Sequence, residues 1–160
     1  MSLRFNRSAA VAYARKHALS PNSAYHLYEV DCTNFVSQCM LQGGWTMITG
    51  WYRSDRVWWY TGGLFGWRAA SYTWAAAQNF ADFLSASGRG SAASGPADLD
   101  LADVIQIRDA SRVYHSMIVT GRSGSDLLLS YHTTNRLDRP LSEIQRGLAS
   151  GDSLLYWKIN

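Results

Sequence analysis

Apolar and polar positions follow a helical period in the first half of the chain and alternate along short runs in the second. From about Arg7 to Leu19, a run rich in alanine with Val11 and Tyr13 combines high helix propensity with Asn6 as a cap, and Ser20-Pro21-Asn22 ends it. The stretch from Asp31 to Gly44, DCTNFVSQCMLQGG, predicts a short helix. Asp31 is its N-cap, Phe35, Val36, Cys39 and Met40 form its apolar face, and Gly43 and Gly44 supply a left-handed stop. Ser71 to Ser87 predicts a further helix, capped by Ser71, with Trp74, Ala77, Gln78, Ala81 and Leu84 along one stripe. Between these two helices, Trp45 to Trp67 holds Trp51, Tyr52, Trp58, Trp59, Tyr60 and Phe65 among glycines with neither period, which reads as a loop or hairpin. Gly88 to Leu99 turns to Gly, Ser, Ala and Pro, the composition of a flexible link.

From Leu101 the pattern is that of strands. Val104–Arg108, Val113–Thr120 and Asp126–His132, separated by turn residues, predict three consecutive antiparallel strands. A loop through Asn135 to Pro140 and a helical turn near Leu141 to Arg146 lead to a last strand over Leu154–Ile159. Helices first and strands later predict an α+β fold in which a helical layer covers one face of an antiparallel sheet. At 160 residues, 47% hydrophobic and 17% charged, the chain reads as one globular domain over 1–160.

Charge adds little. The net +3 comes from scattered arginines without a run of like charges, so neither a nucleic-acid track nor a polybasic membrane patch is expected. No stretch approaches the roughly 18 apolar residues of a membrane span, and no membrane insertion is expected. The start Met1-Ser2-Leu3-Arg4-Phe5 lacks the apolar core of a signal peptide, which reads either as a cytoplasmic protein or as a sequence that begins after a removed leader.

The candidate chemistry starts at Cys32, the first residue of the second predicted helix. There it meets the positive end of the macrodipole and backbone N–H groups without helical partners, which favours a thiolate and offers donors to a developing oxyanion. Cys39, the other cysteine, lies roughly 10 Å away along such a helix, beyond disulfide reach, and falls on the apolar face as a structural residue. A cysteine nucleophile needs a base, and the base needs a group that fixes its tautomer. His115 lies on the second strand of the meander and His132 ends the third, so antiparallel pairing brings both to one edge of the sheet opposite Cys32. His26 reads as an ordinary loop histidine. The aromatic stretch suggests a groove wall, with Trp51, Trp58 and Trp59 as substrate-binding candidates; a local core for the same glycine-rich insertion is the competing reading. Cys32, His115 and His132 have no close pair spacing of the kind zinc sites use, and no metal or cofactor is expected.

The segments DCTNFVSQCMLQGG, HSMIVTG and SYHTTNRLDRPL resemble the Putative amidase domain family found largely in Gram-positive bacteria, similar to the NlpC/P60 and CHAP cysteine amidases of papain-like fold. The likeness runs from the first helix to the region of Pro140. It implies a papain-like amide hydrolase in which Cys32 is the nucleophile, His115 the general base and His132 the third residue, with Asn135 a rival for that third place. It also implies a bacterial peptide or peptidoglycan amide as substrate, and a secreted or cell-wall location. The sequence departs from the family pattern at Ala102-Asp103, where many relatives have Gly-Asp, and in the missing leader.

Overall fold

The computed structural model describes residues 4–62 and 69–160; the expected contributions of Phe65 and Trp67 to the aromatic stretch lie outside the described residues. Helix α1, Arg7–His17, begins where the Asn6 side chain accepts the Ala9 N–H at 3.0 Å. Arg15, Lys16 and His17 crowd its last turn, where the carbonyl end of the macrodipole favours positive charge. Helix α2, Cys32–Gln42, is buried without a break from Cys32 to Met40, so it runs through the interior, unlike an amphipathic surface helix. Of the two glycines after it, only Gly44 (φ 103°) is left-handed. Gly43 is helical, and a Cβ there would collide with the Phe5 ring.

The aromatic stretch folds as a small antiparallel ladder, with a bridge between Ile48 and Trp58 and the strands β1 (Tyr60–Thr61) and β2 (Ala69–Ala70). The helix expected from Ser71 to Ser87 is broken. Helix α3 (Tyr72–Ala75) ends at Ala76, whose extended backbone (φ −117°, ψ 134°) starts α4 (Ala77–Ser87) on a new axis. Ser71 does not cap α3; its hydroxyl bonds instead to Trp59 and to Thr73. The expected flexible link is also corrected, because Gly90–Ala93 forms an edge strand, β3.

The main sheet has six strands: β3, β4 (Val104–Arg108), β5 (Val113–Ser123), β6 (Asp126–Tyr131), β7 (Arg136–Pro140) and β8 (Ser153–Ile159). Their order is β3-β8-β4-β5-β6-β7, with every neighbouring pair antiparallel. The β4-β5-β6 meander is as the alternation predicts, whereas the expected loop to Pro140 is strand β7. Helix α5, Leu141–Arg146, follows directly. Alternation along the strands divides the interior into two apolar clusters. Val104, Ile118 and Trp157 face α1, α2 and α4, while Ile105, Ile107, Met117, Val119, Leu129 and Tyr131 join Leu141 and Ile144 of α5 on the other side. The fold is α+β, and the start of α2 is set against the middle of β5.

Candidate functional site

Cys32 is the first residue of α2 and is 1% exposed. Burial pushes its thiol up from the ordinary range, while the backbone of Ser116 and the hydroxyl and backbone of Thr33 hydrogen-bond to it and pull it down. The Asp31 carboxylate adds a smaller upward push. Its Sγ lies 3.8 Å from Thr33 Oγ1, and Thr33 Oγ1 is 2.9 Å from Ser116 Oγ on β5. A cavity of about 270 Å³ opens at the cysteine, walled by Val30, Ala75–Asn79 of the α3/α4 break, and Arg112 to Tyr114. The break at Ala76 therefore has a local effect: it turns the backbone so that these residues face the cysteine.

His115 stands on β5 opposite Ile107, beside an irregularity that leaves Tyr114 without a partner on β4. Its ring meets Tyr131 edge-on at 4.8 Å (87°) and lines a second cavity, of about 570 Å³, with Asp109, Arg112, Tyr114 and Thr133. Desolvation holds the imidazole down at about 4, so it is neutral at neutral pH. No hydrogen bond joins it to Cys32 among the described residues. The two cavities share Val30, Arg112 and Tyr114 as walls, so they adjoin, with Cys32 lining one and His115 the other.

The expected meeting of His115 and His132 does not occur. Ile118 pairs with Ser130, and extending that register sets Ser116 against His132 and His115 against Thr133. Side chains alternate along a strand, so the two histidines project from opposite faces of the sheet. His132, 1% exposed, stacks on Phe35 of α2 (4.1 Å, 21°). Its Nδ1 lies 2.5 Å from Asp31 Oδ2 and its Nε2 2.8 Å from the His17 carbonyl. With both nitrogens occupied, it has none left to orient His115. Asn135, in the β6–β7 turn, makes no side-chain hydrogen bond among the described residues; its carbonyl accepts from Arg136 at 3.2 Å.

The three tryptophans do not wall the cysteine cavity either. Trp58 is fully buried, its indole donating to Ser37 Oγ at 3.1 Å and its ring 4.6 Å from Trp74, so it belongs to the core. Trp59 donates to the Gly50 carbonyl at 3.1 Å and braces its own loop. Trp51 is 66% exposed and rests on Tyr52 at 4.6 Å. The sequence gives no signal for the real wall, because small residues at a helix break carry no pattern.

Asp31 is the site residue that the sequence reading misassigns. Its carboxylate makes no capping bond to α2. Instead Oδ1 accepts from Tyr28 N and from Asn34 Nδ2, both at 2.9 Å, and Oδ2 faces His132.

Comparison with known proteins assigns the chain to a family. The family model described as Putative amidase domain matches residues 4–154. Two Bacillus subtilis (strain 168) proteins are similar in sequence, each described as uncharacterized. YjcM is 34% identical over 134 residues, which is 82% of this chain and 32% of YjcM. YhbB is 31% identical over 139 residues, 80% of this chain and 41% of YhbB. The chain thus spans less than half the length of either relative. No solved structure matches. With almost its whole length covered by the model, the chain belongs to the Putative amidase domain family.

Proposed function

We propose that this chain is a cysteine-dependent amide hydrolase of papain-like type, related to the NlpC/P60 and CHAP amidases, with Cys32 as nucleophile and His115 as base. The observation that carries the reading is Cys32 at the first position of α2, lining a cavity that adjoins the one lined by His115, in a chain of an amidase family. Of the four histidines, His115 is the one that lines a cavity adjoining the cysteine, and its neutral ring has a lone pair to accept a proton.

In the free chain the pair is neutral, thiol and imidazole, because burial opposes both charges. His115 comes to the thiol side of the strand by a backbone change at the Tyr114 irregularity beside it, since rotation about Cα–Cβ alone leaves a side chain on its own face of the sheet. It takes the proton as sulfur attacks the carbonyl carbon, and gives it to the leaving amine as the C–N bond breaks. Water, deprotonated by the same ring, then releases the acyl group and restores the thiol. The N–H of Cys32 is one donor to the oxyanion. The substrate class is a bacterial peptide or peptidoglycan amide.

A second reading, a noncatalytic module that grips glycan or peptide through region 45–67, rests on the exposed Trp51, stacked on Tyr52 with Arg53 over the Tyr52 and Tyr72 rings. Incubating wild type and Cys32→Ser with peptidoglycan fragments and a peptide panel, with products read by mass spectrometry, separates the two. Cleavage by wild type alone supports the hydrolase. Retained binding with no cleavage by either supports the module.

A further inference from the structure

We propose that His132 is a positioning residue that holds the Asp31 carboxylate away from the first turn of α2 and from the Cys32 sulfur, and that it takes no part in orienting His115. The inference rests on Cys32 being the reactive group.

An aspartate immediately before a helix ordinarily turns its carboxylate onto the first N–H groups. Asp31 has that place and does not do so. If it did, a negative charge would sit where a thiolate or an oxyanion must form, and it would occupy the donors they need. Three donors hold it back: Tyr28 N and Asn34 Nδ2 on Oδ1, and His132 Nδ1 at 2.5 Å on Oδ2. Of these, His132 alone brings support from outside the α2 region. Its ring is clamped on Phe35, and its Nε2 lies 2.8 Å from the His17 carbonyl. The Asp31 N–H donates to Thr133 Oγ1 at 2.9 Å, so the residue after His132 fixes the backbone as well. The approach to the cysteine is thus set by the end of β6 and the last turn of α1.

The groups that face the thiol are Asp31 from its own helix end, Arg112 and Tyr114 across the cavity, and His115 in the adjoining cavity. Only the Asp31 charge is under the control of His132. Losing the Nδ1 donor frees that charge to act on Cys32, and a like charge nearby disfavours the thiolate by about one pH unit or more.

The test is the pH profile of Cys32 alkylation by iodoacetamide, measured alongside amide turnover in the full chain. His132→Asn keeps a donor near the Nδ1 position, and His132→Gln keeps one near Nε2. His132→Gln should move the alkylation profile up by about one pH unit or more, His132→Asn should leave it close to wild type, and Asp31→Asn added to His132→Gln should bring it back. Asp31→Asn alone should move the profile down, which keeps the test open if a His132 variant does not fold. Profiles that coincide in wild type, His132→Gln and Asp31→Asn overturn the proposal. So does a His132→Gln profile that His115→Ala abolishes, since His132 would then act through His115. Amide turnover that survives Cys32→Ser would instead remove the hydrolase reading, and the alkylation result would still judge the positioning.

Discussion

Thr33 and Ser116 share a buried hydrogen bond of 2.9 Å between their hydroxyl oxygens, one residue along from Cys32 and from His115 respectively. Gln106 of β4 extends the chain: its Nε2 donates to Ser116 Oγ at 2.9 Å and to the Ala77 carbonyl at 3.0 Å, and its Oε1 accepts from Trp157 at 2.9 Å. This polar thread ties α2, α4 and β8 to one point on β5. Ser116→Ala leaves Thr33 and Gln106 each a partner short in the interior. A loss of about 1–3 kcal/mol is expected in urea denaturation, with a slower Cys32 alkylation, because the Ser116 backbone donor shifts with its strand.

The two cysteines should separate by phenotype. Cys39 is fully buried in the core of α2 and Cys32 lines its cavity. Cys32→Ala is expected to remove amide cleavage at unchanged melting temperature, whereas Cys39→Ala should lower stability by about 1 kcal/mol with turnover retained. Mass mapping of alkylation should find Cys39 labelled only after unfolding.

Stability should fall on acidification through His115. Its folded value is held at about 4 against an ordinary 6.5, so between these pH values the unfolded chain binds the proton and the folded one does not. The contribution is present above the ordinary value and is lost as pH falls toward the folded one, the direction in which stability rises with pH. Urea midpoints across this window should drop less for His115→Gln than for wild type. Equal slopes would show that His115 is not desolvated.

Trp58 and Trp51 are expected to differ in kind. Trp58→Ala removes a fully buried indole and its bond to Ser37, at a cost of about 3–5 kcal/mol. Trp51→Ala removes an exposed ring and should stay within about 0.5 kcal/mol of wild type. Thermal melts decide this, and a loss of substrate or glycan binding in Trp51→Ala at unchanged stability would favour the module reading.

Ala102 holds a backbone conformation that suits glycine better than alanine. It is buried with φ 69°, and its N–H donates to the Val119 carbonyl at 2.8 Å. An L-residue there bears about 1–2 kcal/mol of strain. Part of the relief given by Ala102→Gly is returned as extra freedom in the unfolded chain, so a net gain of about 0.5–1 kcal/mol is expected in chemical denaturation.

Where local signals agree with burial, the chain is legible from its residues. The Asn6 cap, the helix that starts at Cys32, and the alternation of β4 to β6 all carry their own evidence in composition and period. Ala76 carries none, since alanine suits a helix interior, and it is tertiary packing that breaks α3 from α4 there. Gly90–Ala93 reads as a link because its residues have low strand propensity; pairing with β8 supplies what propensity lacks. His115 and His132 show a subtler limit. Edge and order follow from the meander, but the face does not, because a shift of one residue in register exchanges the faces, and only the pairing of Ile118 with Ser130 fixes it.

Strand β3 has a single neighbour in the sheet, β8, with Gly90 paired to Ile159 and Ala93 to Tyr156. During translation, β3 emerges long before its partner is made. The hairpins of β4 to β7 can close one after another as they leave the ribosome, while β3 and the outer edge of β4 wait with unpaired N–H and carbonyl groups. A chain cut after Asp152 should therefore present two open edges at once, the kind of template that recruits chaperones or other chains. Extending that chain through Ile159 should close both edges in a single step, seen as a sharp gain of protease resistance.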